Sequence, residues 1–225
     1  MTLASIQLQR GKVPISFEEK RNRTSSISVW VTNCGLSANR RSEVLQALNR
    51  YGITFDSYGP CWNNANPFTE NRVLLSNSTP ARYRQKISIS ANYMFMFAAE
   101  NADCAGYHTE KIYHALAAGT IPVYLGATTV ASVVPKNSYI HYRDFANVSA
   151  LANHLKKVMN DRELYESYHA WRKEPFDPHL IEISKSGLRH PNFACEICLL
   201  AHQRPHHIIP RDDGCVQALD NKYFA

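Results

Sequence analysis

Apolar residues fall along this chain in short runs set between polar, turn-rich stretches, and the runs follow two different periods. "ISVWVT" (Ile27 to Thr32), "ITFDSYG" (Ile53 to Gly59), "NYMFMFAAEN" (Asn92 to Asn101), "TIPVYLG" (Thr120 to Gly126) and "SYIHY" (Ser138 to Tyr142) are brief and bounded by turn formers, so they predict five strands. The third is apolar throughout, which predicts a central strand covered on both faces. Pro122 in the fourth predicts the strand's first turn or a bulge. Between the strands the spacing turns helical. "RRSEVLQALNRYG" places Val44, Leu45 and Leu48 on one face and stops at Gly52; "ARYRQKISIS" reads as a short helix; "HTEKIYHALAAG" ends at Gly119. A short helical piece at "TTVASVV" precedes the fifth strand, then "NVSALANHLKKVMND", with Ser149 as its expected cap, and "RELYESYHAWRKE" continue as helix.

Strands alternating with helices imply parallel βαβ units: a Rossmann-like α/β sheet with helices on both faces. Such sheets bind ligands beyond the carboxyl ends of their strands, where helix N-termini gather. Residues 1–26 read as a polar, irregular lead or linker, 27–175 as the α/β domain, and 176–225 as a tail with one apolar helix near "FACEICLLAH" and a His/Arg-rich end. Residues 60–80, rich in Asn, Pro and Ser, read as a long loop.

Composition narrows the partners. The 225 residues are 44% hydrophobic and 20% charged, ordinary for a globular chain. A formal net charge of +6 favours an anionic partner. That partner is a nucleic acid, an acidic membrane or a phosphorylated small molecule, and the basic residues are scattered rather than blocked, which makes nucleic acid the weaker option. No apolar run reaches membrane-span length, and the first residues lack the apolar core of a signal peptide. Sequons at Asn22, Asn77 and Asn147 accompany six cysteines, and together they hint at an oxidising compartment.

The candidate chemistry centres on the third strand and the helix after it. That helix begins near Thr109-Glu110-Lys111. A lysine in a first turn opposes the helix dipole unless an anion sits there to be neutralised. Glu110 suits the dipole and is a bidentate acceptor for sugar hydroxyls, so the pair can hold a nucleotide sugar; the bland alternative is an ordinary first turn with a surface ion pair. Arg40-Arg41, after the first strand, offers a second cation for a diphosphate, the bland alternative being a solvated helix face. His108 and His114 invite a general-base reading, against which stands the commoner surface or capping histidine. "CEIC" (Cys195 to Cys198) with His202, His206, His207 and Cys215 has a loose zinc spacing, set against disulfides or free thiols. Cys34 and Cys61 both follow strands at the same sheet edge and can pair, with Cys104 a rival for either.

The ordered series "VTNCG…R", "FDSYGPC", "YMFMFAAEN…GYHTEK", "ALAAGTIPVYLG" and "NSYIHYRDF" resembles the donor-binding half of the inverting α1,3-fucosyltransferases, nearest the plant-type branch acting on the N-glycan core. The similarity runs from about Ile27 to Trp171. It implies the C-terminal domain of a GT-B glycosyltransferase that binds GDP-fucose. It implies Asn101 and Tyr107 at the donor pocket, Glu110 on sugar hydroxyls, Lys111 on the diphosphate, and Arg41 on phosphate with Arg40 as the register alternative. It implies no metal or other cofactor, since cations on the chain neutralise the leaving phosphate. It implies an acceptor bearing N-acetylglucosamine, as in an N-glycan, a Golgi setting on the lumenal side of an anchored protein, and disulfides at the C-terminal cysteines Cys195 and Cys198. Ala99 departs from the phenylalanine usual before Glu-Asn. No catalytic residue is assigned: the family's base belongs to an acceptor-side domain expected before residue 27, and Glu18 and Glu19 do not take that role. Two other readings stand beside this one, a non-catalytic nucleotide-sugar-binding fragment and a GT-B enzyme using another nucleotide sugar.

Overall fold

The five apolar runs pair into one parallel sheet in which the second strand of the chain lies at one edge, followed by the first, third, fourth and fifth. The structure is a computed structural model and describes residues 14–35, 37, 39–66, 79–175, 177–182, 215 and 219–224. The strands are β1 (Ile27–Val29), β2 (Phe55–Ser57), β3 (Phe95–Ala99), β4 (Ile121–Leu125) and β5 (Ile140–His141). The helices are α1 (Phe17–Arg21), α2 (Arg41–Arg50), α3 (Thr79–Ser90), α4 (Glu110–Ala118), α5 (Val148–Asn160) and α6 (Arg162–Ser167). β3 is central and buried at every position, as its unbroken apolar run predicts.

The alternation of side chains along the strands sorts the two faces. Phe95, Phe97 and Ala99 of β3 and Ile121, Val123 and Leu125 of β4 share a core with Val44, Leu45 and Leu48 of α2 and Leu151 and Leu155 of α5. Ala98 and Tyr124 face the other way, onto Ile112 and Leu116 of α4. Helices therefore cover both faces, the predicted layering. No helix among the described residues is long and apolar enough to cross a membrane.

Three local expectations are corrected. Residues 17–21, expected within an irregular lead, form α1: Ser16 and Glu19 close a capping box, and Phe17 is buried against Tyr165 with ring centroids 5.3 Å apart. The cap of α5 is Asn147, whose side chain accepts from the Ala150 amide, not Ser149. Pro122 sits inside β4, opposite Met96 of β3, with no bulge. Amides along a strand alternate between neighbours. Ile121 donates to Met94 on the β3 side, so position 122 faces β5, whose paired residues begin only opposite Val123. The missing N–H costs no ladder bond.

Candidate functional site

The chain leaves β1 through a loop that ends at Arg40, a non-glycine residue in the left-handed region at φ 54°. That turn sends the two neighbouring arginines apart. Arg40 swings outward, pairs with Glu43, donates to the Leu219 carbonyl at 2.8 Å and lies over the Phe224 ring at 4.3 Å. Arg41 turns inward to the carboxyl edge of the sheet, where it is 2% exposed. Its guanidinium donates to Asn101 Oδ1 at 2.6 Å, to the Asn33 carbonyl at 2.8 Å, and to the Ala99 and Glu100 carbonyls at 3.2 and 3.3 Å. It forms no salt bridge with a described carboxylate, and its buried Nε has no partner. Burial lowers its pKa, with the Glu100 charge only partly restoring it.

β3 delivers Glu100 to the same edge, fully buried. Its carboxylate accepts from the Thr109 amide and hydroxyl at 2.8 and 2.9 Å and from Lys111 Nζ at 2.8 Å. Lys111 Nζ also reaches Thr109 Oγ1 at 2.7 Å. The lysine that opposes the α4 dipole thus has a counter-charge within the chain. Arg41 is the cation of this edge without such a counter-charge: among the described residues its guanidinium meets carbonyl and amide oxygens. Thr109 is the extended N-cap of α4, yet its hydroxyl makes no cap bond to the helix because Glu100 holds it. Glu110, half-buried beside it, titrates below the usual carboxylate range: burial pushes it up, and Lys111, its own amide, Lys86 and His114 together outweigh that.

Arg41, Asn101, Glu110 and Lys111 line one cleft of about 650 Å³ at the carboxyl ends of β1, β2 and β3. Four of the five predicted site residues are therefore brought together. Tyr107 is not among the lining residues; it stands 37% exposed on the loop before α4. Opposite the α4 first turn, α3 presents Arg82, Tyr83 and Lys86 to the cleft. Trp30 and Tyr58, stacked at 4.7 Å, form a third wall. Gly59 lies so close to β1 that a Cβ there would meet the Val31 carbonyl oxygen at 2.3 Å.

Two supports fix the edge. Cys34 and Cys61 are joined, S–S 2.10 Å, tying the loops after β1 and β2. Asp103 receives Asn39 Nδ2 at 3.0 Å, the Tyr142 hydroxyl, and Arg143 at 3.0 Å, which ties the loop after β3 to β5 and the loop before α2. Cys104 pairs with Cys215 rather than with Cys34 or Cys61, which also takes Cys215 out of the zinc set. Cys195 and Cys198 lie outside the described residues. Among the described residues no three potential ligands gather into a metal-holding group. His114 is neither surface nor cap: it is fully buried against Tyr83, its ring nitrogens have no partner, and burial drops its pKa to about 3. His108 is half-buried and its pKa is lowered, chiefly by burial.

The cationic face of α3 escaped sequence reasoning, although a signal existed. Arg82 and Lys86 are one helical turn apart in a stretch, "TPARYRQKISIS", that holds no acidic residue to pair with them.

Known proteins resemble this chain in sequence and in fold. The family model "Glycosyltransferase family 10 (fucosyltransferase) C-term" matches residues 18–212, most of the chain. The chain belongs to that fucosyltransferase family. "GDP-fucose protein O-fucosyltransferase 3" of Canis lupus familiaris is 32% identical over 162 residues, covering 71% of this chain and 33% of that protein. "Alpha-(1,3)-fucosyltransferase B" of Drosophila melanogaster is 29% identical over 192 residues, covering 78% and 42%. A solved α1,3-fucosyltransferase with GDP-fucose superposes with a TM-score of 0.54 at 23% identity, covering 72% of this chain and 43% of that one, and shows the shared fold. The chain spans about a third to two fifths of the length of these curated relatives.

Proposed function

We propose that the cleft binds GDP-fucose and that the protein transfers L-fucose with inversion, in α1,3 linkage, to an N-acetylglucosamine hydroxyl of a glycan. The observation that carries this is Arg41: a buried guanidinium with no salt-bridging carboxylate among the described residues and an unpartnered Nε, at the sheet edge where nucleotides bind. A diphosphate supplies the missing anion. Arg41 and Lys111 then clamp the phosphates, and Glu110 accepts from sugar hydroxyls. As fucose departs, negative charge grows on the phosphate oxygen while the ring becomes oxocarbenium-like. Cations fixed beside the phosphate therefore favour the transition state over the ground state. The two disulfides support a lumenal, oxidising setting such as the Golgi.

Relatives named for protein O-fucosylation stand beside those named for α1,3 transfer, so the acceptor needs its own experiment. Calorimetry of the chain with GDP-fucose tests the donor: micromolar binding lost in Lys111→Ala supports the site, and preference for UDP or ADP sugars overturns it. Incubation of the enzyme with GDP-fucose and either a glycan ending in N-acetylglucosamine or a folded serine/threonine acceptor domain tests the linkage. Transfer to the protein hydroxyl alone overturns the glycan reading.

A further inference from the structure

Among the cations of the cleft, Lys86 stands apart. Arg41 is held by four oxygens and Lys111 by Glu100. Lys86 lies on the cleft wall of α3, is drawn mostly out of solvent, and makes no hydrogen bond or salt bridge with a described residue. A lysine reaching into a cavity without a partner is poorly placed for stability: it loses hydration and gains nothing in exchange. The geometry points to Lys86 as a third cationic contact of the nucleotide, its Nζ taking a proton from solvent as the diphosphate enters. This rests on the nucleotide-binding reading of the cleft.

The surroundings set the charge balance. From α4, Glu110, Lys111 and His114 face Lys86; from the end of β3, Glu100; its own helix adds Arg82 and Tyr83 to the same wall, and Arg41 and Tyr58 line the far side. Burial drives the Lys86 pKa down to about 8, with Lys111 pushing the same way and Glu110 and Glu100 pulling it back. His114 stays neutral behind it and supplies no competing charge. A diphosphate brings two or more negative charges into this low-dielectric wall and restores the ammonium form. Near pH 8 the ligand's terminal phosphate, with a second pKa of about 6, is ionised and its guanine base keeps the N1 proton, so the ligand exchanges almost no proton. Glu110, already ionised, exchanges none either.

The test is calorimetric titration of GDP into the full chain near pH 8, in two buffers of different ionisation enthalpy. The expected result is uptake of about half a proton per nucleotide. In Lys86→Met the uptake vanishes and affinity falls about tenfold. In Lys86→Arg, whose guanidinium does not titrate, affinity is kept and the uptake still vanishes. Binding of GDP without proton uptake, or uptake that persists in Lys86→Arg, overturns the assignment alone. No binding by a folded chain overturns the nucleotide reading with it.

Discussion

The two ends of α4 are built on opposite principles. At its C-terminus the helix is closed by its own backbone and by groups that meet its last carbonyls. Gly119 takes the left-handed conformation at φ 72°, its amide and that of Thr120 return to Leu116 and Ala115, and the Thr120 hydroxyl adds a bond to the Ala115 carbonyl at 3.0 Å. Two cations complete the cap, buried Lys20 on the Gly119 carbonyl and Arg172 on the Leu116 carbonyl, both of the sign that end of the dipole prefers. At the N-terminus the rules are broken. The cap hydroxyl is turned away to Glu100, and a lysine sits in the first turn. Arg41 waits nearby without an anion. The contrast teaches that misplaced charge is informative only after internal counter-charges are counted: Lys111 is salt-bridged to Glu100, whereas Arg41 and Lys86 have no salt bridge among the described residues.

Breaking the N-terminal end has the largest expected effects. Arg41→Met and Lys111→Met each weaken GDP binding by about 2–4 kcal/mol, read by calorimetry. Lys111→Met also strands Glu100 as a buried carboxylate and lowers folding stability by about 2–4 kcal/mol in denaturant titration. Unchanged GDP affinity in both variants would show the open end to be structural like the closed one.

At the C-terminal end the effect is a pH slope. Burial, reinforced by Arg172, lowers the Lys20 pKa from 10.5 to about 7 in the folded state. Between those values the unfolded chain binds more protons, so stability rises with pH from about 7 upward. The expected gain from this residue is about 2–3 kcal/mol by about pH 9.5. Urea melts of Lys20→Met lack that rise; an equal slope in both proteins would place the lysine in solvent. Gly119→Ala costs less, about 1–2 kcal/mol, because Ala must hold a positive φ with its Cβ 3.0 Å from Pro14. Smallest is Arg40→Ala. Its rim contacts with Glu43 and Phe224 contribute under about 1 kcal/mol, and GDP affinity does not move. A loss of affinity there would exchange the roles of the two arginines.

Much of the sheet was legible because a buried parallel strand must be apolar on both faces, as "YMFMFAA" is. The edge harbouring Arg41, Asn101, Glu110 and Lys111 followed from strand and helix order. The partner of Lys111 did not, since Glu100 reads as the end of a strand and only the fold turns its carboxylate toward Thr109. α1 was missed because a five-residue helix carries too little periodicity to see, and its burial depends on Tyr165, far along the chain. Cys215 was drawn toward the histidines near it in sequence, whereas the fold carries it to Cys104, a separation of 111 residues.

That bridge gives the molecule a mechanical character. Everything from the loop after β3 to Cys215 is a closed covalent ring, so a tension applied at the two termini bypasses α4, β4, β5 and α5. In single-molecule pulling, the oxidised chain should extend about 370 Å less than the reduced one on this bridge's account. A protease cut anywhere inside the ring should leave a single molecule until thiol is added.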